Sequence, residues 1–149
     1  MGTRQLRTYT SLWAMMPHDA SGTILGYDAI AETVAAAGYD GMAIDLGAGD
    51  VAQAHAVRPH MERHGLTPLI VAFPRTVKSL RETLIMAKDF GAPFVDVIGQ
   101  VMPLSVDGMI PVIRAWIEMA DKVGMPIQFE THRNCITNDL YATLCLIDA

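Results

Sequence analysis

Between Glu118 and Arg133 the chain reads "EMADKVGMPIQFETHR". A helix-like segment ends at a glycine, a short apolar run follows, and the run closes on a carboxylate, an imidazole and a guanidinium. Gly124 is placed as a helix C′ residue, where a left-handed backbone is needed and a missing Cβ removes its steric cost. The run after it has strand length and is nearly continuous in apolar residues, as a parallel strand covered on both faces must be. One βα junction is therefore written in sixteen residues, and its polar tip is the first candidate for chemistry.

The same junction recurs upstream. Gly38, Gly65 and Gly91 close "AETVAAAG", "PHMERHG" and "IMAKDFG", and the runs "GMAIDLG", "TPLIVAF" and "PFVDVIG" follow them. Successive glycines from Gly38 to Gly124 are 27, 26 and 33 residues apart, one βα unit each time. "SLWAMM", Ser11–Met16, supplies a fifth strand-like run near the start. Asp50 with Gln53, and Ser79 with Glu82, have capping-box spacing for the helices between. From Val106 to Val123 apolar residues recur at helical period, with Arg114, Glu118 and Lys122 on the outer face. Pro59 and Pro111 are expected to break or delay their helices, and "NDLYATLCLIDA" is expected to begin a last helix with Thr137 or Asn138 as its cap.

Five βα units in 149 residues admit two α/β architectures: a partial (β/α)8 TIM barrel with about five of its eight units, or a five-stranded doubly wound flavodoxin-like sheet. Two features favour the barrel. The last helix stops among apolar residues without a glycine or basic last turn, so residues 1–149 are read as a single domain truncated in or after the fifth unit. The first βα turn, "MMPHDASGTILG", also lacks the GxGxxG loop that cradles phosphates in doubly wound folds.

Bulk composition narrows the function. The formal charge of −5 and pI near 5.4 come with no basic run, which argues against nucleic acid and anionic membrane as partners. No stretch approaches the roughly 18 apolar residues of a membrane span, and the N-terminus has no signal-length apolar core, so a cytoplasmic chain is expected. Cys135 and Cys145 have neither CxxC spacing nor a disulfide framework and are expected to be reduced. The ten methionines suit core packing.

The order "SLWAM", "AAAGYDGMAIDLG", "HGLTPLIVAF", "AKDFGAPFVDVIG", "ADKVGMPIQFETHR" resembles the first five units of the xylose isomerase-like TIM barrels, which include sugar phosphate isomerases and epimerases. The most specific part is "FETHRNCITND", because a carboxylate ending the fifth strand is that family's first metal ligand. The resemblance implies a divalent-metal-dependent isomerase or epimerase, with a lyase as a close variant. Its substrate would be a sugar, sugar phosphate or polyol, and it would work by proton transfer through an enediolate. The metal would be Mn, Mg, Co or Zn. Glu130 would be the metal ligand and share the proton transfer, and His132 would bind metal-proximal water or a substrate hydroxyl. Other metal ligands of the family lie on later strands, so the fragment is expected to be inactive, and a homo-oligomer is allowed. A non-catalytic half-barrel or binding module is the alternative. A related endonuclease is disfavoured by the acidic balance.

Strand alternation is consistent with that assignment: Gln128, Glu130 and His132 point one way, Ile127, Phe129 and Thr131 the other. Four further residues are candidates for substrate binding, each with a plainer role open beside it. Trp13 could line a sugar pocket or the core; Asp45, where the family more often has glutamate, could be a buried hydrogen-bonded group, as could Asp96. Gln100 follows Gly99 at a strand end, and Arg133 could bind substrate or pair with a carboxylate. His60 and His64 stand i, i+4 in a polar stretch and are read as a solvated helix face.

Overall fold

The computed structural model describes residues 6–16, 25–101 and 105–149. In chain order these form β1 (Tyr9–Ser11), α1 (Leu12–Met15), α2 (Tyr27–Ala36), β2 (Gly41–Asp45), α3 (Val51–Arg63), β3 (Thr67–Ala72), α4 (Leu80–Asp89), β4 (Val95–Val97), α5 (Val106–Val123), β5 (Ile127–Phe129) and α6 (Leu140–Asp148). The strands make one parallel sheet in the order β1-β2-β3-β4-β5. A flavodoxin-like sheet runs 2-1-3-4-5, reversing at its switch point. Here strand order follows chain order without reversal, as in a barrel. Among the described residues no helix is long and apolar enough to cross a membrane.

Two compact units are distinguishable, one ending at Leu69 and the other running from Ile70 to Ala149. In the first, Met42 and Ile44 of β2 are fully buried, as are Ile30 of α2 and Val57 of α3. In the second, Val95 and Val97 of β4, Leu84 of α4 and Trp116 of α5 have the same status. A Leu of this kind, fully buried, stabilises by about 1.5–3 kcal/mol over an exposed one.

All four predicted C′ glycines are left-handed, with φ of 84° at Gly38, 69° at Gly65, 75° at Gly91 and 69° at Gly124. Asp50 caps α3 as expected, its Oδ1 accepting from Gln53 N at 2.7 Å. Other boundaries differ from the sequence reading. "SLWAMM" is not a strand: β1 lies upstream, and Leu12–Met15 is a helical turn. Tyr and Thr favour pleated backbone whereas Leu, Ala and Met favour helix. Thr8 N donates to Asp40 Oδ2 at 2.7 Å, and Tyr9 pairs with Gly41, where any Cβ would strike the Tyr9 ring. Ser79 does not cap α4 with its side chain but exchanges hydrogen bonds with Thr76, closing an extra turn before the helix. Pro59 and Pro111 do not break α3 and α5; both are exposed, where the carbonyl that loses its partner can be hydrated. Asp139, not Thr137 or Asn138, caps α6 by accepting from Ala142 N at 2.8 Å.

Candidate functional site

The second unit carries the polar tip of β5. Phe129 stacks at a tilt on Trp116 of α5, ring centroids 6.2 Å apart, which assigns the odd-numbered side chains of β5 to the helix side. By alternation Gln128 takes the opposite face and Glu130 follows it, while His132 lies past the strand, where the chain enters a loop. Asp96 of β4 is in register with Gln128 and shares that face. The ladder continues one residue past β5, since Glu130 N donates to Val97 O at 3.1 Å.

A tightly bonded loop then holds this tip. Thr137 Oγ1 donates to Glu130 O at 2.6 Å, the Cys135 thiol donates to His132 O at 2.6 Å, and Ile136 N donates to Gly99 O at 3.0 Å. Asn134 turns the chain with φ of 56°, and its N–H is taken by Asn138 Oδ1 at 2.8 Å. Gly99 makes the approach possible: a Cβ there would lie 2.9 Å from Ile136 Cδ1 and 3.0 Å from Trp116 Cζ3. Cys135, Ile136 and Thr137 are all buried, and both cysteines are free thiols.

Electrostatics single out Asp96. It is only 8% exposed, and among the described residues its Oδ1 has no hydrogen-bond partner. Burial first, and the neighbouring Glu130 carboxyl second, push its pKa from 3.8 up to about 6, with the Gln128 amide opposing. The half-buried His132 meets Phe73 edge-on at 6.1 Å, and its Nδ1 lies 2.7 Å from Arg133 O. A carbonyl can only accept, so Nδ1 donates here, and in the neutral ring Nε2 is the acceptor. Arg133 is exposed and, among the described residues, forms no ion pair. Gln100 is half-buried, its backbone N–H bonded to Pro74 O at 3.0 Å.

In the first unit Trp13 and Asp45 line one recess of about 150 Å³ together with Met16 and Gln53. Trp13 lies on α1, not on a strand, and is 64% exposed. Asp45 Oδ1 accepts from Gly47 N at 2.7 Å and Ala48 N at 3.0 Å, so one of its oxygens shapes the turn after β2. His60 and His64 both reach Asp28 Oδ1, at 3.1 and 3.3 Å, beside Arg63 at 2.6 Å. They face an ion-pair partner on α2 instead of open solvent.

The nearness of Asp96 to Glu130 was the relation that reading residues singly did not reach. Its signal was present: two acidic residues, each at a same-face position, on adjacent parallel strands. Among the described residues, no three His, Cys, Asp or Glu side chains gather as a ready metal site.

No family model matches the chain. No curated protein matches it either. Solved structures do. D-allulose 3-epimerase from Methylomonas sp. is 16% identical with a TM-score of 0.65, covering 97% of this chain and 59% of its own. Ruminococcus gnavus sialic acid aldolase is 12% identical with a TM-score of 0.64, covering 95% and 50%. Dihydrodipicolinate synthase from Agrobacterium tumefaciens is 14% identical with a TM-score of 0.62, covering 84% and 47%. The chain thus spans about half the length of the solved structures it matches. At such identities the likeness carries the fold alone, and that fold is five consecutive βα units of a (β/α)8 barrel.

Proposed function

We propose that these residues form part of a xylose isomerase-like sugar isomerase or epimerase, acting on a sugar or sugar phosphate by proton transfer. The observation that carries the reading is the carboxyl of Glu130, just past the end of β5, beside the buried carboxyl of Asp96. In barrels the C-terminal strand ends are where chemistry is done. Glu130 would take a proton from the carbon next to a substrate carbonyl and return it, through an enediolate. His132 Nε2 accepts from a substrate hydroxyl, while Gln100 and the exposed Arg133 add donors for hydroxyl or phosphate. In the first unit, Trp13 offers an apolar face to a sugar ring and Asp45 a polar edge in the recess they share.

The orphaned Asp96 Oδ1 is an observation that suits a cation at this place, with Glu130 as its ligand. A divalent metal there, Mn, Mg, Co or Zn, would polarise the substrate carbonyl. With no third protein ligand gathered among the described residues, the 149 residues by themselves are expected to be inactive.

The test is solvent exchange. In a barrel completed by the remaining units, with Mn2+ and a panel of ketohexoses and their phosphates in D2O, deuterium should enter at the carbon next to the carbonyl. Glu130→Gln should abolish that incorporation with an unchanged far-UV circular dichroism spectrum. Undiminished incorporation in the variant would make the carboxylate structural.

A further inference from the structure

Asp96 costs this fold something that an apolar residue would not. The side chains flanking it in β4, Val95 and Val97, are fully buried, and Asp96 itself is more than nine-tenths buried. A carboxyl at such a depth is tolerated when each oxygen is bonded, yet among the described residues Oδ1 has no partner. The neighbours of this carboxyl are the Gln128 amide and a second carboxyl, that of Glu130. Like groups beside each other in a poorly solvated place repel when both are charged. Nothing in the core of this unit is improved by the arrangement.

The backbone explains how the two meet. Asp96 is opposite Gln128 in the parallel register, and Glu130 is two residues further on the same face of the neighbouring chain. Adjacent strands are about 4.8 Å apart, so two side chains converging from them can offer oxygens to one point between. The loop over residues 130–138 fixes Glu130 from its own carbonyl, through Thr137. The Glu130 carboxyl itself reaches that of Asp96.

We infer that Asp96 is a second carboxylate ligand, holding with Glu130 the divalent cation of this site. The inference rests on the reading of Glu130 as a metal ligand and adds a residue to it. A dication between the pair supplies what each lacks: a partner for the orphaned Oδ1, and positive charge that turns repulsion between the carboxylates into joint attraction. Oxygen ligands of this kind suit Mn2+ or Mg2+ better than soft-ligand metals. Water fills the rest of the shell in the chain alone, so binding there is weak.

The experiment is a Mn2+ titration of the 149-residue chain, read by the loss of the free-ion electron paramagnetic resonance signal. Asp96→Asn and Glu130→Gln should each weaken binding at least tenfold. Asp121→Asn, on the exposed side of α5, should leave it unchanged. Should the amide disturb folding, Asp96→Ser is smaller and neutral and gives the same reading. Unchanged affinity in a folded Asp96 variant, with affinity lost in Glu130→Gln, would overturn the role of Asp96 and leave that of Glu130 standing. Absence of binding by the unaltered chain would overturn both.

Discussion

Two aspartates with opposite shifts show how far local surroundings set a residue's behaviour. Asp28 is exposed, and its carboxyl is held below the ordinary 3.8 chiefly by its hydrogen bond to His60, with His64 and Arg63 adding to the effect. Asp96 is buried beside Glu130 and is raised to about 6. The consequences for stability fall in separate windows. Asp28 binds its proton less tightly when folded, so its contribution is present above 3.8 and lost only in stronger acid. Asp96 binds its proton more tightly when folded. Its contribution is therefore complete below about 4, declines as pH rises towards 6, and is absent above that. Urea unfolding midpoints measured in chelator should rise from pH 7 to pH 4.5 in the unaltered chain relative to Asp96→Asn. Parallel profiles for the two proteins would show that another group titrates in this range.

Among elements, those with a local chemical cause were legible from sequence. Gly38, Gly65, Gly91 and Gly124 adopt positive φ because a helix ends and a strand must begin, and glycine does this at least cost. Asp50 caps α3 because an oxygen three residues ahead of an orphan amide satisfies it. What failed depended on partners distant in sequence. β1 starts at Tyr9 because Asp40 and Gly41 fix its register, and no property of "SLWAMM" reveals that. The site was half legible in the same way: alternation identified the face of Glu130, while the company of Asp96 required the pairing of β4 with β5. Thr137 was expected to cap a helix, yet its hydroxyl ties the loop back to Glu130 O. The loop packs close over Gly99, so Gly99→Ala should push the Ile136 and Trp116 side chains away from that position. Overpacking of this kind costs about 1–3 kcal/mol. Chemical denaturation would detect it, and a cost below about 0.5 kcal/mol, within the range of ordinary surface substitutions, would show that the loop shifts freely.

At the scale of the whole molecule, the C-terminal helix leaves the most apolar surface unused. Leu140, Tyr141, Leu144 and Ile147 of α6 are 74, 76, 50 and 72% exposed, and no residue of that helix is buried. Their spacing of i, i+1, i+4 and i+7 gathers them on one side of the helix. Arg114 Nη2 of α5 donates to Ala149 O at 2.6 Å, and Leu146 and the inner edge of Ile147 line a shallow groove with Ile110, Ile113 and Ile117 of α5. Scattered exposed apolar residues are ordinary, but a contiguous row on one element favours burial against another surface. A second copy of this chain offers such a surface at no cost in composition, and two α6 helices can cover each other's stripe. Sedimentation velocity should therefore show a weight-average coefficient that rises with concentration. Leu140→Glu combined with Ile147→Glu should place two charges in the row and return the chain to a concentration-independent monomer with its unfolding midpoint essentially unchanged, since neither side chain is part of the core. If the unaltered chain sediments as a monomer at every concentration, the row is simply solvated and the helix contributes nothing to assembly.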